Sequence, residues 1–416
     1  MMGVRADRRP SFARVPRRTG WSKPSLNILH FAVDVLLLLP VLGGTIFGIL
    51  AAVSCAVFRR RAARFPAPRA DLRWPAVSLL KPVYGLEKNL EANLRTACIQ
   101  DYPEYQVVYS LQRKNDPALP ILEAIARDHG PGRVTLAIAD SEPVVNGKVQ
   151  NMAIGLDAAR HGVIVISDSD VRLEADYLKA IVAPLLDPRV GYVCTFYRAT
   201  GADTWYEKLE LLTLNAEFGV QLIFAHMTGV ADFCLGASTA VRRETLARSG
   251  GIESLGEYLV EDYEMGRRIR GLGLASALVP RFVDMTVDLK SPLEWWHHLV
   301  YWDQNTRAAR PGGFLATVLT RSVPFALLFA LYNGFDARGL GVLAAALAAR
   351  LATTAFSLAV GMQDREGLRS LAWLPVRDIA ALASWVAALC KRSFVWRGLE
   401  FGLSRDGRIV SRRSRP

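Results

Sequence analysis

Apolar residues follow two different patterns along the chain. An uncharged run of 24 residues extends from Val35 to Phe58, which at 1.5 Å rise per residue is long enough to cross a hydrocarbon layer of about 30 Å. The apolar stretches after residue 313 are interrupted by single charges. The pattern predicts an N-terminal transmembrane helix within residues 25–58 and a C-terminal region of membrane or interfacial helices over residues 314–390.

Between these regions, residues 72–310 contain short β-branched runs that alternate with amphipathic stretches. The candidate strands are Val77 to Leu80, Val107 to Leu111, Val134 to Ala139, Val163 to Ser167 and Tyr192 to Phe196. The helical stretches between them include Leu86 to Ile99, Ile121 to Arg127 and Lys148 to Ala159. This alternation predicts an α/β domain with a mostly parallel sheet, in which ligands bind at the carboxyl ends of the strands.

The net charge of +12 comes from the two chain ends. Residues 1–24 contain seven basic residues and one acidic residue, and residues 391–416 contain eight basic and two acidic residues. The remainder has 36 of each sign and is neutral. We interpret the ends as basic tails that either contact an anionic membrane surface or solubilise the chain. We expect no nucleic acid to bind, because no nucleic-acid-binding motif accompanies the charge.

Two carboxylates directly follow the apolar run that ends at Ser167. Asp168 and Asp170 are two residues apart, so at strand spacing their side chains point the same way. Mg²⁺ and Mn²⁺ take oxygen ligands and are often held by one or two carboxylates together with substrate phosphates. The pair therefore predicts a metal site for a nucleotide diphosphate. Turns also favour Asp, and it is the position after a strand that favours the metal.

A second acidic segment, Val260-Glu261-Asp262-Tyr263, opens a predicted helix. Acidic residues at a helix N-terminus are favoured by the helix dipole, which is one interpretation of this segment. The other is catalytic, with Asp262 as a general base that removes the proton of an attacking hydroxyl.

An aromatic cluster extends from Trp295 to Trp302. On a helix, Trp295, Leu299 and Trp302 share one side, and Trp and Tyr favour membrane interfaces, so we expect an interfacial helix near the lipid entrance. The adjacent His297 and His298 point in different directions on a helix and do not predict a metal site.

Seven short motifs follow one another in the region between the apolar segments. They are Ser78-Leu79-Leu80-Lys81-Pro82, Gln100-Asp101-Tyr102-Pro103, Asn115-Asp116-Pro117, Asn146-Gly147-Lys148, Asp168-Ser169-Asp170, Glu261-Asp262-Tyr263 and Trp302. Their order resembles the ceramide glucosyltransferase family, family 21 of the glycosyltransferases, over about residues 25–310. Bacterial members of that family are associated with ceramide and with hopanoid lipids, so the resemblance leaves the acceptor open.

The resemblance implies a GT-A-type, Rossmann-like nucleotide-sugar domain and an inverting transfer from a UDP-sugar to a hydroxyl of a membrane lipid. It implies Asp262 as the base and Mg²⁺ or Mn²⁺ at Asp168. By motif, the residues that would bind the nucleotide sugar are Asp116, Lys81, Lys148, Asp168 and Trp302. For the two lysines, a solvated surface position is an equal alternative. Because nucleotide sugars are cytoplasmic, we expect an integral protein of the bacterial inner membrane whose catalytic domain faces the cytoplasm.

One position departs from the family pattern. The family has Arg or Gln, two spacers and then Arg-Trp, whereas this chain has His298-Leu299-Val300-Tyr301-Trp302. Tyr301 thus stands where the family arginine would contact the diphosphate. We hypothesise that Arg307 or Arg310 supplies that charge from a later turn.

Two other functions fit parts of the sequence. A processive polysaccharide synthase shares the donor chemistry, but such enzymes usually need a longer membrane channel and a Gln-x-x-Arg-Trp motif, which is missing here. A non-catalytic polytopic membrane protein would leave the strand and helix region unexplained.

Overall fold

Eight strands of the central region pair into one mixed sheet. They are β1 (Val77–Pro82), β2 (Tyr105–Leu111), β3 (Val134–Ile138), β4 (Val163–Ser167), β5 (Val171–Arg172), β6 (Val190–Thr200), β7 (Ser238–Arg242) and β8 (Ala275–Thr286). Their order across the sheet is β3-β2-β1-β4-β7-β6-β8-β5. Strands β3, β2, β1 and β4 are parallel, whereas β7 runs antiparallel to both of its neighbours. All five predicted strands are present, and the α/β class is confirmed.

The protein is described by a computed structural model over residues 23–64, 73–140, 145–230, 234–391, 393–396, 399–404 and 407–413. Its helices are α1 (Lys23–Ala62), α2 (Leu90–Cys98), α3 (Leu119–His129), α4 (Gly147–Ala158), α5 (Tyr177–Val182), α6 (Trp205–Leu212), α7 (Val220–Met227), α8 (Arg243–Arg248), α9 (Glu261–Gly271), α10 (Pro292–Ala309), α11 (Pro311–Ala316), α12 (Ser322–Tyr332), α13 (Ala337–Phe356), α14 (Arg365–Arg369) and α15 (Leu374–Cys390). Strands β1, β2 and β4 are buried along their whole length. Burial on both faces explains their continuous apolar sequences.

Helices long and apolar enough to cross a membrane lie at both ends of the sheet domain. They are Ile28–Ala62, Ala337–Met362 and Leu371–Cys390, and a fourth is obtained when Pro311–Thr320 and Ser322–Tyr332, bent by 55°, are counted as one span. Large apolar side chains of α1, such as Phe31 and Leu36, are about two-thirds exposed, as a lipid-facing helix requires. The predicted N-terminal and C-terminal apolar helices are confirmed, and the residue limits of the domains stay predictions.

Two π-helical segments interrupt the helices beside the sheet. One, Thr213–Gly219, joins α6 to α7, and the other, Ser357–Met362, continues α13. They meet at Gly219, where an added Cβ would lie 2.6 Å from Met362 Cε. Asn215 of the first segment bonds to both the N–H and the carbonyl of Ala199 in β6, at 2.8 Å each. The membrane-side helices are thereby anchored directly to the sheet.

The C-terminal basic segment is not an unstructured tail. Strands β9 (Ser393–Trp396), β10 (Leu399–Leu403) and β11 (Ile409–Arg413) form a three-stranded antiparallel sheet. Phe401 is buried and packs with Leu259 and Ile409, so the predicted tail over 391–416 is wrong for these strands. The prediction of a tail rested on the positive charge of this segment and did not consider the apolar residues between the basic ones, such as Phe401 and Ile409. Residues 1–22 of the predicted N-terminal tail lie outside the described residues.

Candidate active site

The carboxylates of Asp168 and Asp170 lie in the turn between β4 and β5, at the carboxyl end of β4. The Asp168 N–H donates to the carbonyl of Ala237 beside β7, at 3.2 Å, and its side chain is 28% exposed. Asp170 Oδ1 is buried and accepts no hydrogen bond from the described residues. In the same turn, Ser169 donates to Glu87 Oε2 at 2.7 Å. Three carboxylates are therefore concentrated at one strand end.

This concentration of negative charge favours a cation. Burial, and then the charges of Asp168 and Glu87, raise the pKa of Asp170 to about 8. Among the described residues, no group of three or more His, Cys, Asp or Glu side chains could hold a metal ion. The protein therefore offers the unbonded Asp170 oxygen and the Asp168 carboxylate. That donor set fits Mg²⁺ or Mn²⁺ when a diphosphate and water provide the other oxygens.

Lys148 connects the two acidic segments of the site. It lies in the first turn of α4, whose N-cap residue Asn146 accepts a hydrogen bond from the Val149 N–H at 3.2 Å. The Lys148 Nζ is 2.8 Å from Asp168 Oδ1 and 3.5 Å from Glu261 Oε1. Burial alone would lower the pKa of Lys148, but the charges of these two carboxylates raise it above its ordinary value. Lys148 is therefore a firmly protonated cation between both segments.

Asp262 lies at the N-terminus of α9, and its Oδ1 accepts the Tyr263 N–H at 2.7 Å. Gly236 leaves room for its other oxygen, since an added Cβ there would lie 2.9 Å from Asp262 Oδ2. Burial, and then the charge of Glu261, raise the pKa of Asp262 to about 7, against the opposing charge of Lys148. A carboxylate with a pKa near neutrality is suited to general-base catalysis.

Lys81, one of the predicted nucleotide-binding residues, bonds to the backbone of the turn between β4 and β5. Lys81 is fully buried, and its Nζ donates to the carbonyls of Asp168 and Val171 at 2.7 and 2.8 Å. Burial lowers the pKa of Lys81 to about 8, although Asp170 and Asp168 favour its charge. The Lys81 ammonium therefore fixes the turn that carries both aspartates, and its contact with a nucleotide stays a prediction.

Asp116 follows β2 at the same sheet edge. Its two carboxylate oxygens accept the Gly85 N–H at 3.1 and 3.0 Å, and Oδ1 also accepts the Ala118 N–H at 2.9 Å. Gly85 has φ +67°, a conformation that disfavours other residues. Asp116 thus holds the loops after β1 and β2 together, beside the predicted donor site.

Helix α10 carries the aromatic cluster, and its predicted shared face is present. Trp295 and Leu299 are buried against Leu209 of α6, with Trp373 beside them, so this face packs inside the protein, and the interfacial position of the helix stays a prediction. Trp302 contacts Phe218, with ring centroids 5.8 Å apart, and its buried Nε1 has no acceptor among the described residues. The spacing of Trp295 and Leu299 predicts an apolar helix face, but a face that packs in the core and one that lies at a membrane interface have the same spacing.

The sequence did not reveal a buried ion pair on α10. His298 Nδ1 lies 2.8 Å from Glu210 Oε1, and the Glu210 side chain is only 2% exposed. Burial lowers the pKa of His298, but the Glu210 carboxylate outweighs it and raises the pKa above its ordinary value. The one signal in the sequence is that His298 lies three residues before Tyr301, so that both share a helix face. Their rings stack with centroids 6.2 Å apart and an interplanar angle of 10°.

The missing family arginine is not replaced by Arg307. Its guanidinium donates to the carbonyls of Ala388, Leu389 and Lys391, the last at 2.8 Å, and thus caps the C-terminus of α15. The hypothesis that a later arginine supplies charge to the diphosphate is therefore wrong for Arg307 and stays a prediction for Arg310. On the same helix, burial lowers the pKa of His298, but the charges of Glu210, Glu294 and Asp170 together raise it above its ordinary value.

Comparisons with known proteins show which proteins this chain is similar to. Ceramide glucosyltransferase 1 of Caenorhabditis elegans is 23% identical over 82% of this chain and 74% of its own length. Ceramide glucosyltransferase 3 of the same organism is 22% identical over 82% and 76%, respectively. The solved structure of a mannosyltransferase from Pyrobaculum calidifontis, in complex with GDP-Man and Mn²⁺, is 20% identical and has a TM-score of 0.49, covering 86% of this chain and 98% of that one. The profile of glycosyl transferase family 21 matches residues 42–409, and the chain belongs to that family.

Proposed function

We propose that this glycosyltransferase moves a sugar from a UDP-sugar to a hydroxyl of a membrane lipid, either ceramide-like or hopanoid, with inversion. The observation that carries the proposal is Asp262, a carboxylate whose pKa is raised to about 7 and which is linked through Lys148 to the Asp168 turn. Candidate membrane helices adjoin this domain, and the relatives named above are ceramide glucosyltransferases. The membrane helices and the relatives both support a lipid acceptor.

The donor would bind across the strand ends. Asp116 and Trp302 would border the nucleoside, and Lys148 would meet the negative charge of the diphosphate. Asp168 and Asp170 would hold Mg²⁺ or Mn²⁺, which when bound neutralises the charge that develops on the leaving diphosphate. Lys81 would act through the turn it fixes, since its ammonium bonds to backbone carbonyls.

The transfer itself would be a single displacement. The lipid oxygen attacks the anomeric carbon, and the bond between that carbon and the diphosphate oxygen breaks with its electron pair leaving on UDP. Asp262 accepts the hydroxyl proton as the new carbon–oxygen bond forms. Attack on the face opposite the leaving group inverts the anomeric configuration. The domain would face the cytoplasm from a bacterial inner membrane, because its donor is cytoplasmic.

Lipid mass spectrometry tests the proposal directly. A host that expresses this chain should contain a new hexosyl or N-acetylhexosaminyl lipid, and a host that expresses Asp262→Asn should not. The sugar and lipid masses would identify both substrates. The same lipid profile in both hosts, or a polymer as the product, would contradict the proposal.

A further inference from the structure

A cavity lies among the apolar helices, apart from the carboxylate site. It has a volume of about 30 Å³, enough for a small polar group, and lies between α1, the π segment Thr213–Gly219, the turn at Arg321 and α13. Phe47 and Val220 contribute apolar walls, whereas Arg321 and Thr354 contribute polar groups. An amphipathic space of this kind can accept a molecule with both hydrocarbon and polar parts.

Two buried polar atoms in this cavity, the Arg321 Nε and the Thr354 hydroxyl, have no hydrogen-bond partner among the described residues. The Arg321 side chain is 7% exposed, and its nearest carboxylates are those of Asp303 and Glu217, at 3.8 and 4.0 Å, too long for hydrogen bonds. Its Nε has no acceptor among the described residues. The Thr354 hydroxyl, in a residue that is 2% exposed, likewise has no partner in the described part of the chain. Unbonded buried groups are costly, so both groups can gain a hydrogen bond from a bound polar molecule.

The charges of the cavity select the type of ligand. Arg321 and Arg350 line it together with Glu217 and Asp378, which gives two charges of each sign. Arg350 bonds bidentately to Asp378 at 2.9 and 3.1 Å, and the buried Arg377 pairs with both Glu217 and Asp378. Asp303, 3.8 Å from Arg321, is the third carboxylate beside these three arginines, so the positive charge is balanced and an anionic headgroup would gain little here. An uncharged group that both accepts and donates hydrogen bonds fits the Arg321 Nε and the Thr354 hydroxyl.

The position of the cavity indicates a functional role. Gly44 to Ala51 of its wall lie in the middle of the candidate span Ile28–Ala62, where ionisable groups are costly and mark binding or transport sites. Both π-helical segments contribute lining residues, Glu217 from one and Ser357 from the other. Such segments are rare and are frequent at functional sites.

A short aromatic layer connects the cavity with the carboxylates. Phe218, next to Glu217, stacks on Tyr197 at 5.2 Å and contacts Trp302 at 5.8 Å. Burial, and then the negative charges of Asp262 and Asp168, raise the pKa of Tyr197 far above its ordinary value. Tyr197 therefore lies near both carboxylates, and a lipid in the cavity would reach the site past these rings.

We propose that this cavity binds the uncharged polar part, an amide or a hydroxyl, of the acceptor lipid, and that the Arg321 Nε and the Thr354 hydroxyl hydrogen-bond to it. The hydrocarbon chains lie along Phe47 and Val220. That the bound lipid is the acceptor rests on the proposed function, whereas the binding of a neutral polar lipid does not.

Lipid binding by the purified full-length protein tests this inference without any sugar transfer. The probes are ceramide, a polyhydroxylated hopanoid and phosphatidic acid, measured by native mass spectrometry in detergent without a nucleotide sugar. Thr354→Val should weaken binding of the neutral lipid about three- to tenfold, the effect of one lost hydrogen bond. Thr354→Ser, which keeps the hydroxyl, should retain it.

The matched control is Thr353→Val on the same helix. The Thr353 hydroxyl lines the same cavity but already donates to the Ala349 carbonyl at 2.8 Å, so its loss should change lipid binding by less than about twofold. Equal effects of Thr353→Val and Thr354→Val, no binding of either neutral lipid, or preferred binding of phosphatidic acid would overturn the inference. If neutral lipid binds as expected but no lipid is glycosylated, the proposed function fails and the cavity assignment stands.

Discussion

The Lys148 ammonium bonds to both carboxylate oxygens of Asp168, at 2.8 and 3.0 Å. It also lies 3.5 Å from Glu261, the neighbour of the proposed base Asp262. One cation therefore contacts the proposed diphosphate end of the site and influences the proposed acceptor end. The two ends, separated by about a hundred residues in the sequence, share their electrostatics.

Lys148→Met should weaken UDP-sugar binding and also move the pH profile. Lys148 lowers the pKa of Asp262, so its removal should raise that pKa and shift the rising limb of kcat toward higher pH. Steady-state kinetics between pH 5 and 9 would measure both effects. Lys114→Met, at an exposed position, is the control. An unshifted pH profile in the Lys148 variant would contradict the coupling.

Asp262→Asn should bind UDP-sugar normally but lose kcat by about 10²- to 10⁴-fold. In the wild-type enzyme, kcat should rise with pH and level off above about pH 7, because the base acts only when it is ionised. The charged groups around it are Glu261 and Lys148, and the uncharged phenol of Tyr301 on α10 lies near them. Donor titration calorimetry and the kcat–pH profile measure these outcomes, and substantial turnover by Asp262→Asn would reject the base assignment.

Asp262 should also make stability depend on pH, and in the opposite direction to kcat, which rises with pH. The pKa of Asp262 in the folded protein is about 7, against an ordinary value of 3.8, so between these values the folded state binds more protons than the unfolded state. The free energy of unfolding should therefore fall as pH rises through this window. Asp262→Asn should raise the apparent unfolding temperature at pH 8 and leave it little changed at pH 4. A gain that is equal at both pH values would contradict this linkage.

The strand ends could be predicted from the sequence because local pattern determines them. Apolar runs form the buried strands β1, β2 and β4, and their following residues must lie at one sheet edge. Asp168 was found in this way. The burial of Lys81 could not be predicted, since it depends on how the β4–β5 turn folds over the end of β1. The pair of Glu210 and His298 joins two helices whose packing no local pattern encodes.

Asp170→Asn should reduce the response to a divalent cation. The amide removes the negative charge of a carboxylate whose Oδ1 is buried and accepts no hydrogen bond from the described residues. We expect the Mn²⁺ concentration for half-maximal UDP binding to rise about tenfold or more, as for the loss of one ligand. Calorimetric titration of UDP at several Mn²⁺ concentrations measures this. Asp101→Asn, at an exposed carboxylate, is the control, and an equal Mn²⁺ response in both variants would exclude Asp170 as a ligand.

His298→Phe should destabilise the fold by leaving the Glu210 carboxylate buried without its ion partner. We expect the apparent unfolding temperature to fall by about 5–10 °C. The double variant Glu210→Gln, His298→Gln keeps a hydrogen-bonding pair without charge and should recover most of the loss. Since the pKa of His298 is raised, the stabilisation by the pair is complete below the ordinary value of 6.5 and is lost as pH rises beyond the raised value. Thermal unfolding at pH 6 and 9 measures both, and no recovery in the double variant would contradict an ionic role.

The C-terminal sheet should support catalysis from outside the site. The Leu259 N–H donates to the Gly407 carbonyl at 3.1 Å, and the Ile409 N–H donates to the Glu257 carbonyl at 2.8 Å. Phe401 is buried against Leu259, two residues before the first residue of α9, so this sheet holds the segment that leads into Asp262.

Phe401→Ala should therefore lower kcat by roughly tenfold or more, because small displacements of a catalytic group are costly, while UDP affinity changes little. Val410→Ala is the matched control, since Val410 lies in the same sheet with 64% of its surface exposed, and it should retain the wild-type kcat. Parallel measurements of kcat and of UDP binding distinguish loss of alignment from loss of the whole fold. If Phe401→Ala retained the wild-type kcat, the C-terminal sheet would have no part in positioning the base.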